Sequence, residues 1–411
     1  MKNCPPLKTP GLLRVDTLDP KEFSVRQNGK KESAATPEST IIPNASPVFE
    51  SQEVPAALRA SIASTKVEYR RVGRSGLRVS NPILGTLGIG NPDWMSWSLG
   101  EEEASQLLHA AYHRGINTWD TANAYSNGQT ESIIGRAIKR FKLPRNKLVL
   151  MTKVGRILAD TEHGDSSDFV AFLDHAVKDS KDYVNNYGLS RIAILNAVEQ
   201  SLSRLQTSYI DVLHVHRFDC DTPIEETMST LHGLVACGKV RYLAASSMWA
   251  FELAQMQCVA EIRGWTKFIA MQNHYSLLYR EEEREMIKYC KRSGVGLLAW
   301  SPLAEGYLAR PLNEPAVSGK RAARTSRFGL GSSDADVEIV GRVQSMADTR
   351  GVAMSQVALA WLHKRVDAVV VGINSIARMD EIVGARNVQL TDDEDAYLEL
   401  PYKPKNIQGH V

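Results

Sequence analysis

Residues 148–154 read LVLMTKV, an almost unbroken apolar run with a lysine near its end. Continuous rather than alternating hydrophobicity indicates a strand that is buried on both faces, as in a parallel sheet. Seven more runs of this kind occur along the chain. Together the eight runs predict eight parallel strands: 82–86, 117–120, 148–154, 210–216, 240–246, 268–275, 294–301 and 368–373.

Segments with a helical spacing of apolar residues separate these runs. They cover 101–114, 192–205, 225–237, 251–262, 281–292 and 355–363. Several begin with acidic residues, which suits the positive end of a helix dipole. Alternating strands and helices leave a closed (β/α)8 barrel or a doubly wound sheet, and the count of eight strands favours the barrel. We therefore predict an α/β fold, a (β/α)8 TIM barrel that forms a single catalytic domain.

The 411 residues divide unevenly on composition. Residues 1–65 contain eight of the 17 prolines and no sustained hydrophobic period, which predicts a disordered N-terminal tail. The barrel is expected over 66–400, with long loops near 156–189 and 303–334. Residues 401–411 are expected to form a C-terminal tail.

Charge and cysteine content exclude several classes of protein. The 49 lysines and arginines nearly balance the 47 aspartates and glutamates, so no general attraction to nucleic acid or to an anionic membrane is expected. No apolar run reaches the roughly 18 residues that a membrane-spanning helix needs. The five cysteines are scattered and form no CxxC pair, which predicts no metal site and a reducing, cytoplasmic environment.

Polar residues that end three successive strands are the candidate catalytic groups, because barrel active sites lie at the carboxyl ends of the strands. They are Asp120, Lys153 and His216, and Tyr125 follows the aspartate on the next loop. The lysine is expected to lower the pKa of the tyrosine and ease proton donation. A group that protonates an oxygen becoming an alkoxide requires a hydride at the carbon, so a nicotinamide is expected beside it. Taken singly, each side chain has a structural alternative: a helix cap, a snorkelling lysine or a core histidine.

The same residues carry a resemblance to a known family. The segment DTANAYSNG at 120–128 resembles the aldo-keto reductase signature, and MTKV at 151–154 and LHVHRFD at 213–219 resemble the family's remaining catalytic segments. The similarity runs from about 67 to about 400 and is greatest to the fungal branch of versiconal hemiacetal acetate reductase-like and aryl-alcohol dehydrogenase-like enzymes. The resemblance implies that Tyr125 is the general acid in carbonyl reduction. The implied catalytic tetrad is Asp120, Tyr125, Lys153 and His216.

The resemblance also implies an NADP(H) site, with NAD(H) the less favoured coenzyme. Ser246, Ser247 and Gln272 would bind the nicotinamide carboxamide, although many relatives have asparagine where Ser247 stands. Trp300 would stack on the nicotinamide ring, and Arg378 would grip the 2′-phosphate. The implied coenzyme contacts are Thr86, Ser246, Ser247, Gln272, Trp300, Ser301, Leu303, Arg310, Gly372, Asn374 and Arg378.

Aromatic residues in the rim loops predict the substrate pocket. They are Trp94, Trp97, Phe218 and Trp249. Aromatic walls favour flat or bulky apolar carbonyl compounds over sugars, while ordinary packing is the structural alternative. The expected function is NADPH-dependent reduction of an aldehyde or ketone to an alcohol, in secondary metabolism or detoxification. Two alternatives stay open: a coenzyme-binding regulatory subunit that resembles potassium-channel β subunits, and an aryl-alcohol dehydrogenase that works oxidatively.

Overall fold

Residues 54–159, 178–311 and 329–410 are described by the structure, a computed structural model of the chain. The predicted tail over 1–53 and the central parts of both predicted long loops lie outside these ranges. Within the described ranges, no helix combines the length and the apolar character that crossing a bilayer requires.

Eight parallel strands close into a barrel, as the sequence predicts, and an antiparallel hairpin precedes them. Each barrel strand falls within its predicted run and is at most a few residues shorter. The hairpin consists of β1 (Glu68–Arg71) and β2 (Arg78–Asn81). The barrel consists of β3 (Ile83–Gly85), β4 (Thr118–Asp120), β5 (Val149–Val154), β6 (Ile210–Val215), β7 (Val240–Ser246), β8 (Phe268–His274), β9 (Gly296–Trp300) and β10 (Ala368–Gly372). Strand β10 pairs with β3 and completes the ring.

The β1–β2 hairpin closes the amino-terminal end of the barrel. Val72 and Val79 pack in one apolar cluster with the residues that line the barrel interior. Gly73 permits the close approach: its φ is +51°, and a Cβ there would lie 2.5 Å from the carbonyl oxygen of Gly294. The N–H of Gly73 also donates to the carboxylate of Asp367 at 2.8 Å. Nothing in the hydrophobic pattern predicts this hairpin, because its strands are four residues long and rich in arginine.

Helices surround the barrel and bury its outer face. Those described are α1 (Ala56–Ser64), α2 (Glu101–His113), α3 (Gln129–Arg140), α4 (Arg191–Leu205), α5 (Ile224–Ala236), α6 (Ala250–Arg263), α7 (Met286–Ser293), α8 (Asp334–Arg350), α9 (Met354–His363), α10 (Ile376–Val383) and α11 (Asp392–Glu399). Five predicted helices are confirmed within one residue at each end, as α2, α4, α5, α6 and α9. Helix α1 lies inside the predicted tail and buries none of its residues.

The helix predicted over 281–292 is wrong in its first turn. A 3-10 turn, Glu281–Glu283, precedes α7 instead of continuing into it. The acid-rich start that suggested a helix dipole has another role, since Glu281 and Glu282 are buried. Their carboxylates accept hydrogen bonds from the C-terminal segment of the chain, which a local sequence pattern does not indicate.

Candidate active site

All four predicted catalytic residues lie at the carboxyl end of the barrel. Asp120 ends β4, Lys153 lies one residue before the end of β5, and His216 directly follows β6. Tyr125 opens a 3-10 turn in the loop between β4 and α3. That loop turns sharply because Gly128 adopts a left-handed φ of +86°, where a Cβ would lie 2.8 Å from the side chain of Arg204.

The four side chains meet around the ammonium of Lys153. Its Nζ lies 2.6 Å from Asp120 Oδ2 and donates to the carbonyl oxygen of Thr121 at 2.8 Å. The same nitrogen is 5.3 Å from the ring centre of Tyr125. The rings of Tyr125 and His216 are 6.3 Å apart, centre to centre. The structure thus brings the predicted tetrad together in one place.

Lys153 is a buried cation, with only 1% of its side chain exposed. Burial by itself lowers the pKa of its ammonium, but the nearby Asp120 carboxylate and Tyr125 hydroxyl raise the pKa above its ordinary value. The lysine therefore stays charged at neutral pH. A buried charge of this kind requires its partner, because an unpaired ion inside a protein is costly.

Burial raises the pKa of the Tyr125 hydroxyl above its ordinary value. The ammonium of Lys153 acts in the expected direction and lowers that pKa, but Asp120 raises it again. The lysine lowers the tyrosine pKa as expected, but the net shift of that pKa is upward because lost hydration outweighs the ammonium. Tyr125 consequently holds its proton at neutral pH, which is the state a general acid needs.

His216 is neutral at physiological pH. Burial lowers its pKa well below the ordinary value, and the positive charges of Arg217 and Lys153 lower it further. Its Nδ1 atom is buried and finds no hydrogen-bond partner among the described residues. A neutral imidazole beside Tyr125 is a hydrogen-bonding group that does not add a second positive charge to the site.

The predicted carboxamide-binding residues adjoin the tetrad at the ends of β7 and β8. The hydroxyl of Ser246 donates to the main-chain oxygen of Gln272 at 2.9 Å, and the N–H of Ser247 donates to the same oxygen at 3.2 Å. The side-chain amide of Gln272 donates to Asp120 Oδ1 at 2.8 Å. Thr86, a further predicted coenzyme residue, is buried and donates to the carbonyl oxygen of Asp120 at 2.9 Å.

Trp300 is one end of a stack of three rings. Its indole lies 4.3 Å from the ring of His274 with an interplanar angle of 13°, and His274 stacks on Tyr279 at 4.2 Å. Burial lowers the pKa of His274 to about 3, so this imidazole is neutral. His274 therefore covers one face of the indole. Sequence reasoning missed His274, although it follows Gln272 by two residues and so lies on the same face of β8.

The predicted phosphate end of the site is an open cavity of about 520 Å³ beside α10. Arg310, Ser375 and Arg378 contribute to its lining. Ser375 caps the helix by accepting the N–H of Arg378 at 3.2 Å. The guanidinium of Arg378 lies 3.4 Å from Glu381, and the arginine side chain is 45% exposed, so an anion can still reach it. A helix start with an accessible arginine fits a phosphate group.

The remaining predicted coenzyme residues lie near these two regions. Ser301 and Leu303 begin the loop after β9, and Gly372 and Asn374 lie exposed at the end of β10. The residues present at both ends of the site therefore fit a nicotinamide dinucleotide.

The four predicted substrate-pocket residues differ in exposure. Trp94 is only 2% exposed, which favours ordinary packing for that ring. Trp97 and Phe218 are half-buried, and Phe218 packs against the main apolar core. Trp249 is 38% exposed and immediately precedes α6.

Residues 401–410, which were expected to form a tail, pack against the mouth of the barrel. The hydroxyl of Tyr402 donates to Glu281 at 2.6 Å, and Lys405 pairs with Asp336 at 2.8 Å. Farther along, His410 lies 3.0 Å from Glu282. These three contacts hold the segment in place.

The end of this segment borders predicted site residues. The ring of His410 meets the edge of Trp249 at 4.8 Å between centres. A Cβ on Gly409 would lie 3.5 Å from the ring of Trp300 and 3.6 Å from Ser247. The C-terminal segment is thus part of the wall of the site, a role that sequence reasoning missed because these contacts join residues more than a hundred positions apart.

No group of three histidine, cysteine, aspartate or glutamate side chains within 54–159, 178–311 and 329–410 is arranged to hold a metal ion. The described cysteines Cys220, Cys237, Cys258 and Cys290 are free thiols.

The closed barrel, with a buried Lys153–Asp120 pair at its carboxyl end, agrees with a family match that indicates an oxidoreductase acting on carbonyl compounds. The chain belongs to the aldo/keto reductase family, whose family model matches residues 83–400. An aldo-keto reductase of Fusarium vanettenii is 52% identical over 359 residues, which cover 87% of this chain and 97% of the relative.

Two further relatives identify the branch within the family. The versiconal hemiacetal acetate reductase of Aspergillus parasiticus is 46% identical over 348 residues, covering 83% of this chain and 98% of that protein. A Schizosaccharomyces pombe protein named as an aryl-alcohol dehydrogenase is 42% identical over 353 residues, covering 84% of this chain and 98% of that protein. The predicted family and branch are confirmed. Members of the family generally use nicotinamide coenzymes, typically NADP(H).

Proposed function

We propose that this protein is an NADPH-dependent carbonyl reductase that converts an aldehyde or ketone to an alcohol, with Tyr125 as the general acid. The observation that carries the proposal is the buried Lys153–Asp120 pair at 2.6 Å beside a tyrosine that keeps its proton at neutral pH. When bound, NADPH supplies the hydride that the carbonyl carbon accepts.

Each side chain of the site has its own proposed role in protonating or orienting the carbonyl oxygen. Tyr125 donates its hydroxyl proton to that oxygen as negative charge develops there. The ammonium of Lys153 stabilises the phenolate that remains, and Asp120 holds the ammonium in position. His216 is neutral and donates a hydrogen bond to the same oxygen, which orients the substrate without competing for the proton.

NADP(H) rather than NAD(H) is proposed as the coenzyme because an accessible arginine, Arg378, stands at the start of α10. Its guanidinium is permanently charged and matches the shape of a phosphate. Trp300 would stack on the nicotinamide ring, and Ser246 would bind the carboxamide. Held in this way, the nicotinamide would present one face to the substrate.

The substrate class is proposed from the rim of the site and from the relatives. Half-buried or exposed aromatic side chains at Trp97, Phe218 and Trp249 favour flat or bulky apolar carbonyl compounds. The reductase and aryl-alcohol dehydrogenase names of the relatives agree with an aromatic substrate in secondary metabolism. The same groups serve alcohol oxidation in reverse, so the direction depends on the cellular coenzyme ratio.

A purely regulatory role, as a coenzyme-binding accessory subunit, is the second candidate. The intact tetrad favours turnover over that role, because a binding subunit needs neither a protonated Tyr125 nor the buried Lys153–Asp120 pair. The enzyme should oxidise NADPH when a carbonyl substrate is added, whereas the regulatory subunit should bind NADPH without turnover.

The test measures NADPH oxidation at 340 nm with a panel of aromatic aldehydes and ketones. Wild type should turn over several of them, and Tyr125→Phe should lose about 10²- to 10⁴-fold in kcat. Tyr397→Phe is the matched control, since that tyrosine is 43% exposed on α11 and lies outside the site. Coenzyme binding without turnover of any panel member would reject the enzyme and favour the regulatory subunit.

A further inference from the structure

Gln272 reaches across the barrel to the tetrad. It lies on β8, and Asp120 ends β4, the strand diametrically opposite in the eight-stranded ring. Even so, Gln272 Nε2 donates to Asp120 Oδ1 at 2.8 Å, and both residues are only 2% exposed. A buried bond that spans the barrel fixes the distance between the two walls at the level of the catalytic groups.

The contact also determines which way the amide of Gln272 points. An ionised carboxylate only accepts hydrogen bonds, so the nitrogen of the amide must face Asp120 and the oxygen must face away. No described residue donates to that oxygen. On the main chain, the carbonyl oxygen of Gln272 accepts from Ser246 and Ser247, the serines of the proposed carboxamide site.

The two carboxylate oxygens of Asp120 have different partners. Its Oδ2 atom holds the ammonium of Lys153 at 2.6 Å, and its Oδ1 atom holds Gln272. If Gln272 were lost, one oxygen of a buried carboxylate would be unsatisfied, which is costly. The carboxylate would then turn to find another donor, and the lysine that it holds would move relative to Tyr125.

We propose that Gln272 is a positioning residue that couples the nicotinamide carboxamide to the proton-donating tetrad. Its amide oxygen accepts from the carboxamide while its nitrogen holds Asp120, so one rigid group aligns both. The inference rests on the proposed function. It adds that coenzyme binding and the geometry of Lys153 and Tyr125 depend on the same side chain.

Replacing a residue that only binds the coenzyme should change only coenzyme affinity. Replacing a positioning residue should also change the proton-transfer step. The variants Gln272→Met and Gln272→Glu distinguish these two roles. Methionine keeps the length of the side chain and removes both hydrogen bonds. Glutamate keeps the shape but places a second carboxyl group against Asp120, where the two groups share one proton at low pH and repel each other when both are ionised.

For Gln272→Met we expect kcat to fall about 10- to 100-fold and the NADPH Kd, measured by quenching of tryptophan fluorescence, to rise several-fold. For Gln272→Glu we expect a new limb in the pH profile of kcat. Activity should be retained at low pH, where the protonated glutamate donates to Asp120, and should fall as pH rises and that proton is lost.

Asn273→Asp is the matched control for a new carboxylate on the same strand. Asn273 is buried next to Gln272, and its side-chain amide has no hydrogen-bond partner among the described residues. Its aspartate variant should lose stability as pH rises but show no new limb in kcat. Thermal unfolding without coenzyme gives the second readout: Gln272→Glu should also lose stability relative to wild type as pH rises.

The proposal is overturned if Gln272→Met raises only the NADPH Kd and leaves kcat within about twofold, or if Gln272→Glu keeps the wild-type pH profile. A failure of the proposed function would look different. Wild type would then turn over no carbonyl compound, while coenzyme affinity and unfolding would still report on the contact between Gln272 and Asp120.

Discussion

The indole N–H of Trp300 donates to the hydroxyl oxygen of Ser247 across 3.0 Å, which ties the end of β9 to the loop after β7. Ser247 reaches this position with a left-handed φ of +39°, a conformation that only a few per cent of non-glycine residues adopt. With His274 against one face and Ser247 at the indole nitrogen, the ring is fixed before any ligand binds. Preorganisation of this kind lowers the entropic cost of binding.

Ser247→Ala should weaken NADPH binding about 3- to 10-fold, because it removes one hydrogen bond that holds the stacking ring. The Kd is measured by quenching of tryptophan fluorescence. Ser293→Ala, an exposed serine at the end of α7, is the control and should leave the Kd unchanged. An unchanged Kd in Ser247→Ala would show that the stack with His274 is enough to hold Trp300.

Lys153→Met should abolish activity and destabilise the protein. We expect kcat to fall about 10²- to 10⁴-fold, and the free energy of unfolding to fall by roughly 3–5 kcal/mol, because Asp120 is left as a buried, unpaired charge. Adding Asp120→Asn should recover part of the stability and none of the activity. Chemical denaturation of both variants checks this. Arg136→Met, which breaks an exposed pair with Glu101, should cost less than about 1 kcal/mol.

Neutral histidines that are shielded from water should make stability rise with pH in the acid range. Burial, with help from the charge of Arg70, lowers the pKa of His363 to about 4. Between that value and the ordinary 6.5, the unfolded chain binds a proton that the folded chain does not, so unfolding becomes harder as pH rises through this window. His363→Gln should reduce the stability difference between pH 4 and pH 7 by up to roughly 3 kcal/mol. A variant with the wild-type slope would show that His363 is protonated when folded.

Removing residues 406–411 should raise the KM for aromatic aldehydes and the NADPH Kd about tenfold each, equal to roughly 1.4 kcal/mol. The deletion removes Gly409 from the edge of Trp300 and His410 from Trp249, while the Lys405–Asp336 pair remains. Removing residues 1–53 is the matched truncation at the other end and should leave kcat/KM intact. If only the N-terminal truncation affected kinetics, the assignment of the C-terminal segment to the site would be wrong.

Arg378→Ala should reduce the preference for NADPH over NADH about 10- to 100-fold, since it removes a charge-assisted hydrogen bond to the 2′-phosphate. The KM for NADH should stay the same, because that coenzyme lacks the phosphate. Arg378→Lys should fall between wild type and alanine. Arg263→Ala, at the exposed end of α6, controls for net charge. Equal losses for both coenzymes would place Arg378 on another part of the dinucleotide.

The parts of the fold that were predictable are those with a local signal. The run at 148–154 predicts β5 because a strand buried on both faces must be apolar along its whole length, and the position of Lys153 near its end predicts the site. The β1–β2 hairpin and the C-terminal segment give no such signal. Their places depend on contacts between residues far apart in the chain, such as Gly73 with Gly294 and His410 with Glu282.

The direction of the tyrosine pKa was not predictable for a different reason. The sequence indicates which charges lie near Tyr125, but the cost of lost hydration depends on how completely the surrounding strands exclude water. Likewise, the bond between Gln272 and Asp120 follows from the closure of the barrel, which brings opposite strands within reach of one side chain. The identities of the two residues alone do not predict that they lie within hydrogen-bonding distance.

The hairpin packs against the amino-terminal end of the barrel, and the tetrad lies at the carboxyl end. Val72 and Val79 pack there among apolar side chains of the barrel interior. We therefore expect coenzyme, carbonyl compound, alcohol product and the proton that recharges Tyr125 to share the entrance at the carboxyl end. Molecules that share one entrance have to enter and leave in sequence, so we expect a compulsory-order kinetic mechanism in which the nicotinamide, bound deepest, arrives first and departs last.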